Sequence, residues 1–116
     1  GVSTCTLAST VAETKTLMIT GPVTKPDGTV VFIPGPPSSL TSTITGSSPV
    51  VADGASTSTI TVTIRDAFNN LIAGETPTFS ATDTGMQNVY GPCSATDATG
   101  VSTCTLSSTI AETKTL

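Results

Sequence analysis

The sequence predicts an all-β fold of two facing antiparallel sheets, and its residue patterns carry this prediction. Apolar and polar residues alternate most clearly over 58–65, where Ile60, Val62 and Ile64 share one face. Turn residues (Gly, Asp and Asn) separate the candidate strands by roughly 8–14 residues, which is typical of a sandwich. No segment has the apolar spacing of an amphipathic helix.

An internal repeat sets the organisation of the chain. Residues 1–17 read GVSTCTLASTVAETKTL and residues 100–116 read GVSTCTLSSTIAETKTL, so that 15 of 17 positions are identical at an offset of 99. That offset is too long for a solenoid rung and close to the length of a β-sandwich domain, about 100 residues. The chain is therefore interpreted as one full tandem-repeat unit plus the start of its next copy.

The strands are predicted in chain order from the first repeat copy onwards. That copy continues as a strand through residues 17–19, residues 25–28 have turn chemistry, and residues 29–33 return. Further strands are predicted at 40–44 with 50–51, 58–65, 76–82, 86–90, 94–97, 101–106 and 109–116. The proposed core anchors are Ile60, Val62, Ile64, Phe79, Val101 and Leu106.

Three segments follow from the repeat and these strands. Residues 1–33 are interpreted as the C-terminal strands of a preceding repeat, or as complementing strands. Residues 34–37 form a Pro/Gly link. Residues 38–116 form one domain whose last strand is truncated.

Composition excludes several function classes. The chain has 4 Lys and Arg against 8 Asp and Glu, a net charge of −4, and no His. Scattered cations on an acidic chain do not favour nucleic-acid binding, which needs clustered Lys and Arg. Without His there is no Ser-His or Cys-His nucleophile pair, and no apolar run is long enough for membrane insertion. No enzymatic activity is predicted.

Four short motifs resemble one known family. Residues 50–54 read Val-Val-Ala-Asp-Gly, 66–74 read Asp-Ala-Phe-Asn-Asn-Leu-Ile-Ala-Gly, 78–81 read Thr-Phe-Ser-Ala, and 96–101 read Thr-Asp-Ala-Thr-Gly-Val. Together they resemble the bacterial immunoglobulin-like (Big-1) repeats of the invasin and intimin type. Asn69 stands where that family usually has Gly, and Asn tolerates left-handed backbone. The resemblance covers residues 38–116.

The resemblance implies a fold and a role. The fold would be an immunoglobulin-like two-sheet β-sandwich without enzymatic activity. The role would be that of a stalk or display domain in a bacterial cell-surface adhesin, and the localisation would be extracellular.

The cysteine spacing predicts a disulfide between Cys93 and Cys104. If Ala98 and Thr99 form a two-residue hairpin loop, the two cysteines face each other with Cα atoms about 5.5 Å apart or less, within the range that a disulfide spans. A three-residue loop with a bulge at Gly100 would shift the register by one. Two independent buried thiols are the alternative.

Cys5 matches Cys104 in the repeat and is the odd cysteine. It is expected to be unpaired or to bond between molecules. If residues 1–33 fold back onto the strands of 38–99, Cys5 becomes an alternative partner of Cys93.

The C-terminal copy of the repeat predicts an open sheet edge. The segment 109–116 stops where the N-terminal copy goes on to Met18, Ile19 and Val23. A unit without these apolar residues exposes an edge for strand addition by another chain. We therefore expect head-to-tail strand sharing between copies, with symmetric exchange or fraying as alternatives.

Other candidate sites are weaker. Four turn aspartates could bind calcium at a junction between units, but Asx turns explain them as well: Asp53, Asp66, Asp83 and Asp97. No other cofactor is expected. An isopeptide bond would need a lysine (Lys15, Lys25 or Lys114) beside an asparagine (Asn69, Asn70 or Asn88), and no spacing supports it. The Thr-x-Thr runs are read as solvated strand faces instead of an ice-binding ladder.

The sequence thus favours a non-catalytic structural repeat of a bacterial extracellular adhesin or surface filament. Its expected partners are neighbouring copies or repeats of the same protein. The alternative is a module that binds a carbohydrate or a host protein near Phe68 or Tyr90.

Overall fold

The computed structural model describes residues Gly1–Leu116 and confirms the all-β class. Its strands are β1 (Thr14–Ile19), β2 (Lys25–Val31), β3 (Thr43–Gly46), β4 (Ser58–Thr63), β5 (Val89–Tyr90) and β6 (Val101–Ser107). One 3-10 turn, Thr84–Met86, is the only helical element. β1 and β2 form one antiparallel sheet, and the second has the order β3-β4-β6-β5. This all-antiparallel architecture is consistent with an immunoglobulin-like β-sandwich.

The four-stranded sheet shows the alternation that the sequence predicts. Along β4, Ile60 and Val62 point into the core and lie opposite Cys104 and Ser102 of β6. The intervening threonines form rows across the outer face, with Thr61 between Thr45 and Thr103 as one example. β-branched residues suit this pleated surface, which explains why a Thr-rich sequence forms a sheet.

The hydrophobic core is small. Ile60, Val62, Cys104 and Leu106 are its buried members, and partly buried side chains pack against them: Ile44, Ile64, Phe79, Ala81, Cys93 and Leu116. Val101, which the sequence places among the core anchors, lies outside this cluster at the start of β6. Since only 11 of 116 residues are buried, each contact of the core carries a large share of the stability.

The layer facing this sheet is irregular. The segments 76–82 and 109–116, predicted as strands, contain no regular strand. Side chains satisfy much of their backbone instead: the Tyr90 hydroxyl bonds to both the N–H and the carbonyl of Ala81, and Thr115 N–H donates to Thr82 Oγ1. Phe79, Ala81 and Leu116 nevertheless close the core from this side.

The hairpin β1–β2 forms with a different turn from the predicted one. The turn lies between Ile19 and Lys25, and residues 25–28 belong to β2. Leu17 pairs with Gly28 and Met18 with Pro26, so Asp27 is the extra residue of a β-bulge. Pro, Asp and Gly favour bulges as well as turns, which is why their cluster was misleading. The hairpin contributes to an elongated molecule of 72 × 20 × 18 Å.

The turn before β6 takes the three-residue form. Gly100 N–H donates to the Asp97 carbonyl (2.9 Å) and Asp97 N–H donates to the Val101 carbonyl (3.0 Å). Gly100 has φ 69°, a conformation that glycine adopts without strain. A Cβ at this position would lie 2.9 Å from the Ile64 carbonyl oxygen. The bulge shifts the register by one at the tip of the hairpin.

A second irregularity reverses this shift. Thr96 turns away from β6, donates its N–H to the Glu75 carbonyl (2.7 Å) and accepts from Gly74 N–H (2.8 Å). The chain then returns to β6, where Ser94 N–H donates to the Thr103 carbonyl (3.0 Å). One extra residue has been absorbed on each side of the hairpin, so the residues beyond it face each other as in the simple two-residue loop.

Cys93 and Cys104 lie opposite each other beyond this point. Their Cα atoms are 4.2 Å apart and their sulfurs are joined in a disulfide. Cys5 is exposed and unpaired. The disulfide links β6 at the centre of the core to the segment that follows β5.

The structure contains no helix with the length and apolar character that a membrane crossing needs.

Reduction of the disulfide should destabilise the protein. The bond closes a short loop, for which chain entropy gives a contribution of about 3 kcal/mol. We expect the oxidised protein to have a correspondingly higher urea midpoint than the reduced protein, measured by circular dichroism. The comparison is best made in Cys5→Ser, which prevents intermolecular bonds and should itself leave the midpoint unchanged because Cys5 is exposed. Equal midpoints in both redox states would contradict a stabilising role.

Candidate functional site

The most organised polar site surrounds Asp66, just after β4. Asp66 is 2 % exposed. Its Oδ1 accepts from Phe68 N–H and Asn70 N–H, both at 2.9 Å, and its Oδ2 accepts from Asn70 Nδ2 at 2.8 Å and Gly35 N–H at 2.9 Å. Four donors therefore converge on one carboxylate, which joins the turn 66–70 to the Pro/Gly link.

These hydrogen bonds favour the charged form of Asp66. Burial alone would raise the pKa of Asp66, but the bonds from the Asn70 side chain and from the Gly35, Asn70 and Phe68 backbone outweigh it and lower the pKa to about 2. The carboxylate is ionised throughout the neutral range and acts as a fixed acceptor. No donor in this set could serve as a general acid or a nucleophile at neutral pH.

Asn70 extends the site to the N-terminal segment. Its Oδ1 accepts from Ala12 N–H and its Nδ2 donates to the Thr10 carbonyl, each at 2.8 Å. Asp66 holds the same amide group from the other side. The Asn70 side chain thus clamps residues 10–12, which precede β1, onto the turn after β4. We refer to Asp66 and Asn70 together as the Asp66–Asn70 clamp.

The link between the hairpin and the sheet is held at the same place. Pro37 forms an isolated antiparallel bridge with Asp66, and Ser38 N–H donates to the Arg65 carbonyl at 2.8 Å. Together with the Gly35 contact, these bonds fix both ends of the link on the turn. The clamp is therefore the junction between the hairpin and the four-stranded sheet.

The other three turn aspartates close their own turns. Asp53 accepts from Ala55 and Ser56, Asp83 from Gln87 and Asn88, and Asp97 from Thr99 and Val101. The bonds within the turns lower the pKa values of Asp53 and Asp97, the largest contributions coming from the Ser56 backbone and the Thr99 side chain. Nowhere do three or more Asp, Glu or Cys residues gather as metal ligands would.

The candidate aromatic residues lie in different environments. Tyr90 packs edge-on against Phe79, with ring centroids 5.2 Å apart, and its hydroxyl is engaged by Ala81 and Asn88. Phe68 is 64 % exposed, in the turn that the clamp stabilises. Tyr90 is therefore a structural residue, whereas Phe68 is free to contact a ligand.

The lysine candidates for an isopeptide bond form ion pairs instead. Each pairs with a carboxylate two positions away in the sequence: Lys15 with Glu13, Lys25 with Asp27 and Lys114 with Glu112. None of the three ammonium groups hydrogen-bonds to an asparagine side chain.

The sequence identified Asp66 as a turn aspartate and Asn70 as part of the same 66–74 motif, but it did not identify either as part of a junction. Asn70 contacts residues about sixty positions away, and Gly35 contacts Asp66 across 31 positions. No local spacing signals contacts over such distances. The sequence contains one hint of this junction, which is that residues 10–12 belong to the segment copied at 100–116.

Comparison with known families agrees with this architecture. The chain matches the bacterial Ig-like domain family, group 1, over residues 39–116, which is more than half of its length. The chain belongs to this family. Domains of this family are structural, occur in surface proteins and are generally non-catalytic. No curated protein and no solved structure gives a significant match to the chain.

Acid should weaken the protein through Asp66. Because the pKa is lower in the folded protein, about 2, than its ordinary value of 3.8, the contribution of this carboxylate is fully present above the ordinary value and is lost as the pH falls towards about 2. We expect Asp66→Asn to have a lower urea midpoint than the wild type at neutral pH, since an amide cannot accept at both atoms. The difference in urea midpoint between the two proteins should shrink as the pH falls from 3.8 towards about 2.

Asp27→Asn provides the matched control. Asp27 is exposed on β2 and contacts only Lys25, so the same chemical change should have little effect at any pH. If the difference in urea midpoint between the wild type and Asp66→Asn stays constant down to a pH of about 2, the Asp66 charge does not stabilise the folded state.

Proposed function

We propose that this domain is a non-catalytic structural repeat of a bacterial extracellular adhesin or surface filament, whose copies are joined head to tail, in tandem and by strand sharing. The observation that carries the proposal is that the copied segment occupies two different structural positions, at residues 10–17 and 109–116. Family membership and the disulfide, which suits an oxidising compartment, support it.

The N-terminal copy shows how this segment pairs with the following strand. Phe32 N–H donates to the Glu13 carbonyl at 3.0 Å. In an antiparallel pair, every second residue of a strand directs its backbone N–H and carbonyl towards the partner strand. Lys15 and Leu17 therefore direct theirs towards β2, as Glu13 does, and lie opposite Val30 and Gly28. The backbone N–H and carbonyl groups of Thr14 and Thr16 point to the opposite edge of β1, away from β2.

The C-terminal copy uses that other edge. Thr115, which matches Thr16, accepts from Thr82 N–H at 3.0 Å and donates its own N–H to Thr82 Oγ1. The peptide groups of Lys114 and Leu116, which match Lys15 and Leu17, have no backbone partner. An open edge remains in the position that β2 occupies in the N-terminal copy.

This open edge fits β2 of another copy, provided that this β2 leaves its own β1, because the same edge of β2 pairs with Lys15 and Leu17 in the single chain. Residues 12–17 and 111–116 have the same sequence, Ala-Glu-Thr-Lys-Thr-Leu, so β2 meets identical residues in both places. Directly opposite residues share a face, which would put Val30 and Phe32 on the same face as Leu116. Leu116 packs on the core and borders a cavity of about 410 Å³. β2 from a second copy would cover apolar surface there that is now open.

Sedimentation over a wide range of protein concentration tests strand sharing. We expect concentration-dependent association of the wild type. Lys114→Pro should abolish it, because proline removes an N–H that faces the open edge and that has no backbone partner in the single chain.

Thr113→Pro is the matched control, since Thr113 is the preceding residue, is exposed, and directs its N–H to the edge away from the open one. It should associate as the wild type does. A strict monomer at high concentration, or association that Lys114→Pro leaves unchanged, would contradict strand sharing.

The exposure of Phe68 favours a second candidate, a module that binds a carbohydrate or a host protein. A large aromatic side chain on a rigid turn provides a contact surface for a sugar ring or an apolar side chain. A glycan array with the wild type and Phe68→Ala tests this. Binding that Phe68→Ala abolishes supports the module, and binding that survives the substitution, or its absence, excludes Phe68 as a glycan contact.

A further inference from the structure

Residues 9–13 and 108–112, the middle parts of the two copies, have the same local conformation. Ser9 Oγ accepts from Val11 N–H at 3.1 Å, and Ser108 Oγ accepts from Ile110 N–H at 3.2 Å. The Glu13–Lys15 ion pair recurs as Glu112–Lys114. A contact made by the backbone of one copy is therefore available, in the same geometry, to the other.

The copies differ in what they contact. The N-terminal copy bonds to the Asp66–Asn70 clamp of the domain that follows it, through the Thr10 carbonyl and Ala12 N–H. The C-terminal copy bonds to the domain that precedes it, where Ser108 accepts from Gly54 N–H at 3.1 Å and Thr115 pairs with Thr82.

These two sets of contacts use different atoms. The Thr109 carbonyl and Ala111 N–H match the Thr10 carbonyl and Ala12 N–H, and neither has a hydrogen-bond partner. Ala111 is exposed, whereas Ala12 is half-buried against the clamp. The C-terminal copy can thus keep every bond to its own domain and still present these two groups to a second one.

We propose that residues 109–111 are a docking segment for a following copy of this domain, whose Asn70 side chain accepts from Ala111 N–H and donates to the Thr109 carbonyl. One segment then serves two domains at once. The inference rests on the proposed function in that copies follow one another in tandem.

The consequence is a fixed angle between successive domains. Two hydrogen bonds from one amide side chain define an orientation as well as a distance, and Asp66 orients that amide in each copy. Because the same carboxylate holds Gly35 of the link, the link and the docked segment are fixed at one point. Repetition of the junction gives a stiff rod instead of a flexible chain of domains.

The test uses the full chain and a tandem protein, in which the chain is followed by a second copy of residues 18–116. Amide hydrogen exchange is measured by NMR. Ala111 N–H should exchange fast in the single chain, where it is unbonded, and at least about tenfold more slowly in the tandem protein, as protection by a hydrogen bond requires. Ala12 N–H provides the reference for a docked amide in both proteins.

Variants of the second copy make the test specific. Asn70→Ala there should restore fast exchange at Ala111. Asn69→Gly should not, because the Asn69 side chain makes no hydrogen bond and its backbone, at φ 67°, suits glycine. Protection of the Ile60 and Cys104 amides verifies that the variant domain is folded. If Asn70→Ala unfolds it, Asn70→Ser gives the same comparison, because a hydroxyl can still donate to Asp66 but is too short to bridge residues 109–111 as the amide does.

Equal exchange at Ala111 in the single and tandem proteins would overturn the docking segment, and so would slow exchange that Asn70→Ala does not change. X-ray scattering of the tandem protein separates this failure from that of the proposed function. If the tandem protein is longer than the single chain while Ala111 N–H exchanges fast, the head-to-tail array stands and the docking segment does not. A particle that does not lengthen contradicts the array itself.

Discussion

The need to satisfy one buried carboxylate organises the molecule. Asp66 is withdrawn from water and must find donors within the chain, because an unpaired buried charge is strongly unfavourable. It finds them in its own turn, in Asn70 and in Gly35 of the link. The same bonds set the direction of the link and position the Asn70 amide against residues 10–12. The position of the hairpin relative to the sheet thus depends on the hydrogen bonds of this side chain, together with the bond from Ser38 N–H to the Arg65 carbonyl.

The small core explains why polar side chains take so large a part in the fold. Four buried residues form its centre, and the layer facing the four-stranded sheet has no regular ladder to hold it. The Tyr90 hydroxyl and Thr82 Oγ1 occupy backbone groups that a neighbouring strand would otherwise satisfy. The disulfide then ties this side to β6. The same irregularity leaves the edge at Lys114 and Leu116 open, and this is the edge that the proposed strand sharing would use.

The repeated segment is suited to join domains because its two edges and its turn act independently. Alternate peptide groups of a strand point in opposite directions, so residues 109–116 pair with Thr82 on one side while the other side stays free. The turn at the start of this segment, held by Ser108, exposes two further backbone groups, the Thr109 carbonyl and Ala111 N–H. The proposed joining of domains therefore uses backbone hydrogen bonds and needs no reactive group.

Local periodicity and spacing were enough to predict the all-β class, the alternation of Ile60 and Val62 along β4, and the repeat. The sequence also predicted that Cys93 faces Cys104, but from a two-residue loop, whereas the structure has a three-residue loop and a compensating irregularity at Thr96. It misplaced the hairpin turn, since Pro, Asp and Gly suit the bulge at Asp27 equally well. It also predicted regular strands at 76–82 and 109–116, where side-chain hydrogen bonds replace the ladder. The contacts of Asn70 with Thr10 and Ala12 could not be predicted from the sequence, because hydrogen bonds between residues far apart in the chain leave no periodic signal there.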